Sequence, residues 1–317
     1  MKVVVTGGAG FVGANLCREL LSRRDYEVVV LDNLSTGKLS NLDGLDVEFR
    51  KGSVLDPVAV AATCAGAESI VHLAAVPAVL RSIENPRRSH ETNVTGTMTV
   101  LEAARESGAH VIVASSSSVY GRNPTLPKTP DLVCLPSSPY AVSKLAAESY
   151  ALAYQSSFGL ECCVFRFFNI FGPLQAPNHA YAAVIPSFVF NALHGLPLTI
   201  YGDGEQSRDF TFIGSVVEIL AEAVASRMSG IRPVNLAFGT RTTVNEIVAV
   251  LSDLLGRPLD VRYRPPRPGD VRHSQAEPGV LTKLFPRVHP VPLAHGLVRT
   301  ISWLESLAEP QAKEVPA

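Results

Sequence analysis

Seven residues near the N-terminus, Gly7-Gly8-Ala9-Gly10-Phe11-Val12-Gly13, constrain this chain more than any others. They follow a short β-branched run at 3–6 and open a stretch at 12–22 with the length and composition of a helix. A strand-to-helix turn rich in glycine lets the backbone bend sharply and approach a ligand closely. The helix that follows offers unpaired N–H groups to a pyrophosphate. Asp32 ends the next β-branched run, where a βαβ nucleotide-binding unit places a carboxylate that accepts hydrogen bonds from the adenosine ribose. Such a carboxylate would repel a 2′-phosphate, and no arginine follows it directly, so NAD fits better than NADP.

The pattern set by the first unit repeats. Runs rich in Val, Ile and Cys at 28–32, 47–50, 70–75, 111–115 and 162–166 read as strands. Between them, 58–63, 91–107 and 141–158 read as helices. Apolar strands without polar alternation, separated by helices, predict a parallel sheet covered on both faces. The expected fold is therefore α/β, a Rossmann-type doubly wound parallel sheet with a smaller C-terminal substrate-binding domain. After Asn169, proline and glycine punctuate helices at 185–194 and 244–255, as in a substrate-binding part grafted onto such a sheet. The expected division gives 1–168 to the dinucleotide domain, with 212–238 returning to it and 234–238 rejoining the sheet. Residues 169–211 and 239–309 make the substrate domain, and 310–317 a tail.

Charge narrows the partners. With 28 Lys and Arg against 29 Asp and Glu, no broad field favours nucleic acid or a membrane surface, so any important arginine acts locally on one anionic ligand. No run is apolar for long enough to span a bilayer. The five cysteines, Cys17, Cys64, Cys134, Cys162 and Cys163, form no metal-ligand spacing and read as buried free thiols. The start of the chain carries no secretory h-region, and the expectation is a cytoplasmic enzyme without metal.

Chemistry enters at Tyr140 and Lys144. Four positions apart on the helix opened by Ser138-Pro139, they share one face. A free tyrosine, with a pKa of about 10, is a poor base at neutral pH. A neighbouring ammonium and a positively charged nicotinamide would both favour its phenolate. A hydroxyl is also needed to hold the substrate oxygen as its charge changes, and Ser116 at a strand end is placed for this. Ser115, Ser117 and Ser118 read as structural.

With these residues in place, the chain resembles the extended short-chain dehydrogenase/reductase family, in its NAD-dependent nucleotide-sugar epimerase/dehydratase branch. The segments TGGAGFVG, LDNLSTG, HLAAV, NVTGT, ASSSSVYG, SPYAVSK, RFFNIFGP, YGDGEQSRDF and RPGDVRHS carry the resemblance along almost the whole chain. It implies that Gly7, Gly10, Phe11, Val12 and Gly13 form the dinucleotide loop, and that Asp32, Asn33, Ser35, Thr36 and Gly37 hold the adenosine. It places Leu73, Ala74, Ala75 and Asn93 along the pyrophosphate and ribose. Ser53 stands where many members read the adenine amine with aspartate, leaving the backbone of Val54 for that contact.

The resemblance further implies a catalytic trio of Ser116, Tyr140 and Lys144, with Lys144 reaching the nicotinamide ribose and Phe168 beside the carboxamide. On the substrate side it implies Asn169 at the diphosphate and Thr199 and Tyr201 at the uracil. Arg208 and Arg267 would clamp the diphosphate, with Asp270 holding the Arg267 loop. Taken alone, these arginines also read as surface ion-pair partners of Asp209 and Asp270. A homodimer through 91–107 and 141–158 is implied as well.

Within the branch, dehydratases and decarboxylases carry carboxylates beside the catalytic hydroxyl. Here those positions are Ser117 and Ser118, which cannot protonate a leaving hydroxide, so 4-epimerisation of a UDP-sugar is expected. The segment QAPNHAYAAVIPSF resembles epimerases that favour UDP-GlcNAc, and Ser274 stands where glucose-restricted members carry tyrosine. Ser274 also reads as an ordinary loop residue. The preferred expectation is interconversion of UDP-GlcNAc and UDP-GalNAc, and also of UDP-Glc and UDP-Gal. The alternatives are a UDP-glucuronate 4-epimerase, another nucleotide-sugar oxidoreductase, or a non-catalytic NAD-binding regulator.

Overall fold

The apolar runs become strands because each can be buried on both faces. The computed structural model describes residues 1–23, 25–177, 182–266 and 271–308. The strands, in chain order, are β1 (Lys2–Thr6), β2 (Glu27–Asp32), β3 (Glu48–Lys51), β4 (Ser69–His72), β5 (His110–Ser116) and β6 (Cys162–Phe167). They are followed by β7 (Ile170–Phe171), β8 (Leu198–Tyr201), β9 (Ser207–Arg208), β10 (Thr211–Phe212), β11 (Val234–Leu236), β12 (Thr242–Thr243) and β13 (Val261–Arg264). Seven pair in parallel in the order β11-β6-β5-β4-β1-β2-β3, which is the expected doubly wound sheet. Val234 sits opposite Phe165, so the chain does rejoin the sheet there. The order reverses between β1 and β4, and the crevice at such a reversal is where open α/β sheets bind ligands.

The helices are α1 (Phe11–Ser22), α2 (Pro57–Cys64), α3 (Val79–Glu84), α4 (Pro86–His90), α5 (Gly96–Ser107) and α6 (Pro139–Phe158). Then come α7 (Val184–Leu193), α8 (Ile213–Ala225), α9 (Val244–Leu255), α10 (Gly279–Leu284) and α11 (Leu293–Ala308). Of these, α3, α4, α8, α10 and α11 are additional to the sequence reading. Strand alternation sorts the core into two layers. Val3, Val5, Val28 and Val30 pack towards α1 and α8. Val4, Val29 and Leu31 pack on the opposite face with residues of α2, α5 and α6. The first layer runs on without interruption into Phe188, Leu198, Leu251 and Leu297, so the C-terminal half shares a core with the sheet.

Two expected elements differ. The strand at 70–75 stops at His72, because the buried Asn93 side chain accepts from Val76 N (2.7 Å) and donates to Val76 O (3.2 Å), turning the chain off the sheet. The helix at 91–107 begins as a π-turn, Glu91–Thr95, before α5 proper. Such wide turns gather at functional sites, and this one holds Asn93 against the 73–78 loop. Helix α6 starts where Ser138 Oγ accepts from Ala141 N (3.1 Å) with Pro139 in the first turn.

Phe165 is fully buried on β6, its ring 6.1 Å from that of Phe285 beyond α10. Phe165→Ala should therefore cost about 3–5 kcal/mol, read from the shift in a urea unfolding midpoint at constant slope.

Candidate active site

The glycine loop is built by contact, and at two positions no side chain can be admitted. Gly7 has φ +74°, and a Cβ there would lie 2.7 Å from Ala74 N. A Cβ on Gly13 would lie 2.3 Å from the carbonyl oxygen of Gly7. The loop can therefore lie flat on the 73–75 segment only as glycine. Asp32 locks it from the other side: Oδ2 accepts from Ala9 N (3.0 Å) and Oδ1 from Leu34 N (2.7 Å). A carboxylate has about four acceptor sites, so capacity remains for a ribose.

A cleft of about 480 Å³ opens at the reversal between β1 and β4. The expected glycine-loop residues line it, as do Asp32, Asn33, Ser35, Thr36, Val54 and residues 73–75. Six expected cofactor positions, Gly37, Ser53, Asn93, Tyr140, Lys144 and Phe168, lie outside this lining. Gly37 packs against the backbone of Ala9. Ser53 Oγ accepts from Leu55 N (3.2 Å) in a local turn. Asn93 is 1% exposed and spends its amide on Val76 and on Ser143 Oγ (2.9 Å). Phe168 is wholly buried, with its ring 6.2 Å from that of Tyr120.

The wall also contains residues the sequence reading passes over, among them Lys38, Asn41, Arg81, Thr92, Gln175 and Trp303. Lys38 and Asn41 extend the Asp32–Gly37 segment and were within reach of that reading. Gln175 and Trp303 come from distant parts of the chain and carried no such signal. Gln175 Oε1 is buried without a hydrogen-bond partner among the described residues, an acceptor on the cleft wall suited to a ligand donor. Together with the glycine cradle, this fits a dinucleotide.

At the end of β5, Ser116 lies close enough to the half-buried Tyr140 phenol to favour its phenolate. Ser116 Oγ accepts from Ser118 N (3.2 Å) and from Ser118 Oγ (2.9 Å), which leaves its own proton to give. Lys144 Nζ is buried and donates to Ala114 O (2.9 Å). Burial pushes the Lys144 ammonium down to about 8. Burial also pushes the Tyr140 phenol above its usual range, against the opposing pull of Ser116. In the chain alone desolvation wins over the serine contact, and a positively charged nicotinamide would pull the other way.

Beneath the lysine, His72 is buried between Thr6 Oγ1 (2.7 Å from Nδ1) and Thr97 Oγ1 (3.0 Å from Nε2). Thr97 spends its proton on Asn93 O (2.6 Å), so Nε2 carries the ring proton and Nδ1 accepts from Thr6. Burial first, and Lys144 second, push His72 down to about 3, which keeps it neutral.

On the far side, Thr199 and Tyr201 project from β8, which alternates them with buried Leu198 and Ile200 and pairs with β13. Arg208 lies on β9, where its Nη1 donates to the carbonyls of Ser207 (2.9 Å) and Arg272 (3.2 Å). Asn169, at φ +26°, donates to Asp209 O (3.3 Å). Half-buried Ser274 is tied to β9 through its N–H on Ser207 O (3.1 Å). Arg267 and Asp270 lie outside the described residues.

Asp209, read from sequence only as an ion-pair partner for Arg208, is fully buried. It accepts from Gly239 N (3.0 Å), Thr240 N (3.2 Å), Thr240 Oγ1 (2.8 Å) and Ala276 N (3.0 Å). It thus gathers two segments, 239–240 and 276, around the Arg208 strand. Among the described residues no cluster of His, Cys, Asp or Glu could hold a metal, and no helix is long and apolar enough to cross a membrane. The cysteines are free thiols, four of them buried and Cys134 only half-buried.

A glycine-cradled cleft and, along the same sheet, a Ser-Tyr-Lys arrangement define an NAD-dependent enzyme of the short-chain dehydrogenase type. The chain belongs to the NAD dependent epimerase/dehydratase family, which residues 3–237 match. A UDP-glucose 4-epimerase of Mycolicibacterium smegmatis is 34% identical over 316 residues, covering 98% of this chain and 100% of that protein. The structure of a UDP-N-acetylglucosamine 4-epimerase from Methanobrevibacter ruminantium, in complex with UDP-N-acetylmuramic acid, superposes with a TM-score of 0.91 at 35% identity. That match covers 96% of this chain and 98% of the other. A UDP-glucose 4-epimerase of Thermotoga maritima with UDP-glucose also gives 0.91, at 32% identity over 98% and 100% of the two chains.

Ser116→Ala removes the hydroxyl that favours the phenolate, so the Tyr140 phenol rises further. The acid limb of the kcat profile is expected to move to higher pH, and kcat at neutral pH to fall about 10²-fold. A limb that stays in place would separate Ser116 from the phenol.

Proposed function

We propose that the chain is a UDP-sugar 4-epimerase that interconverts UDP-GlcNAc and UDP-GalNAc, and also accepts UDP-Glc and UDP-Gal. The observation that carries the reading is the β5 end. Ser116 stands within reach of Tyr140, and its neighbours Ser117 and Ser118 supply no carboxylate for elimination or decarboxylation.

Tyr140, as phenolate, takes the proton of the sugar C4 hydroxyl. Ser116 donates to the same oxygen while it becomes a carbonyl. A bound NAD would supply the acceptor for the C4 hydride and the donor for its return. Lys144 favours the phenolate by its charge and holds the helix to β5 through Ala114 O. After the 4-keto sugar turns over, Tyr140 gives its proton back, so the net result is inversion without oxidation. Anchoring falls to Arg208 and Asn169 on the diphosphate, with Thr199 and Tyr201 at the uracil. Charge-assisted bonds there hold the nucleotide while leaving the ring free to rotate.

The sugar preference rests on Ser274, whose small side chain beside β9 leaves room for a 2-acetamido group. The exposed Val142 and Tyr150 on α6 support a homodimer through α5 and α6.

The purified protein, incubated with UDP-GlcNAc, should form UDP-GalNAc, followed by proton NMR at C4. No turnover of any UDP-hexose would overturn the reading, and turnover of UDP-glucuronate alone would move it to the uronate branch. Tyr140→Phe should abolish turnover, by about 10³-fold or more, yet keep bound NAD. Ser274→Tyr should lose UDP-GlcNAc turnover about 10-fold or more while retaining UDP-Glc, since a misfitting group in a packed pocket costs roughly 1–3 kcal/mol.

A further inference from the structure

Helix α6 repeats its functional face once more. Glu148 follows Lys144 by four residues, as Lys144 follows Tyr140, so the three lie along one stripe. Glu148 does not line the cleft. Its side chain is 4% exposed and meets Arg166 of β6, itself 5% exposed, in a two-pronged pair: Nε to Oε2 at 3.0 Å and Nη2 to Oε1 at 2.5 Å. Ser115 Oγ donates to the same Oε2 at 2.8 Å. The other arm of Arg166 donates to Tyr120 Oη (2.8 Å) and Pro130 O (3.0 Å), and its guanidinium carbon lies 4.9 Å from the centre of the Tyr120 ring. Tyr120 in turn donates to Asn235 Oδ1 on β11 (2.6 Å).

A buried ion pair is a poor way to gain stability, since apolar side chains of similar volume usually serve as well or better. Its distinctive property is orientation, because a bidentate pair fixes both planes and both distances. Here the oriented parts flank Ser116. Ser115 precedes it, and Tyr120 closes the short 3₁₀ turn Ser117–Tyr120 that follows it. The carboxylate doing the holding sits two helical turns from Tyr140 on the same helix.

We infer that Glu148 and Arg166 are positioning residues that set the distance between the Ser116 hydroxyl and the Tyr140 phenol, and so act on turnover without touching cofactor or sugar. This rests on the roles given to Ser116 and Tyr140 above. Tyr140 faces Ser116 on β5, and Lys144 follows it on its own helix, its charge helping to keep His72 on β4 neutral. Helices α3 and α4, packed on α6, carry Arg81, Glu84, Arg87, Arg88 and His90. None of these groups is altered in the variants below.

The test uses the NAD-loaded protein. Glu148→Gln, and Ser115→Ala as a milder probe, should keep their NAD and hold KM for UDP-GlcNAc within about twofold. Because an ångström of misplacement can cost about 10²-fold, kcat should fall about 10- to 100-fold in Glu148→Gln. The acid limb of its kcat profile should move to higher pH. The Tyr140 titration, followed by ring-labelled tyrosine NMR and assigned with Tyr140→Phe, should move the same way, and this readout needs no substrate. The double variant Glu148→Leu/Arg166→Met should recover the melting temperature but neither kcat nor the titration. Recovery of kcat together with stability, or an unmoved Tyr140 titration in a folded Glu148→Gln, would overturn the inference. A moved titration with no turnover of any UDP-hexose by the unaltered chain would instead overturn the functional reading and leave this one standing.

Discussion

Every functional element of this chain depends on one constraint, that its central strands run the same way. Parallel pairing sends the carboxyl ends of β1, β2, β4 and β5 to a common edge. The glycine turn after Thr6, the carboxylate of Asp32, the 73–78 loop and the hydroxyl of Ser116 are therefore neighbours without being close in sequence. The edge is stitched by backbone bonds that continue the strands past their ends, Gly7 N to Leu31 O (2.8 Å) and Leu73 N to Thr6 O (3.0 Å). These tolerate no side chain at Gly7.

Behind that edge lies a layer of buried polar groups, each with a defined partner. Thr6, His72, Thr97 and Asn93 form a chain in which every proton has one place to go, and it ends on the segment that floors the cleft. Asp209 plays the same part on the substrate side, where one carboxylate holds residues 239–240 and 276 around the strand bearing Arg208. Low local dielectric makes such groups costly when unpaired and directional when paired. They set geometry more than they add stability.

Much of this was legible in the residues. The sheet could be read because each strand is a β-branched run of near-strand length, and the glycine loop because only one residue type fits it. The catalytic helix could be read because four-residue spacing is a helical property. What escaped has physical reasons. Strands of two residues such as β9 and β12 have too little pattern to show. A matched motif gives neighbourhood but not facing, so Asn93 and Phe168 were read into the cleft although the π-turn and the Tyr120 contact turn them into the interior. Asp209 was read by its charge as a partner for the adjacent arginine, whereas its burial commits it to backbone amides. Gln175 and Trp303 reach the cleft only through the packing of distant elements. The phenol of Tyr140 was read with a charged nicotinamide beside it, whereas in the chain alone desolvation, which no sequence spacing reports, outweighs the Ser116 contact.

The stripe on α6 also determines what kinds of change the protein can survive. Tyr140, Lys144 and Glu148 hold their places only relative to one another and to the strand they face. An inserted or deleted residue between 140 and 148 turns the helix beyond it by roughly 100°, taking at least one of the three off the stripe while the sequence around it stays intact. An outward position such as Ser149 lies on the same helix off that stripe and is exposed, so its identity is less constrained than the number of residues around it. The segment is thus open to substitution and closed to length change, and its descendants should differ in letters but never in count.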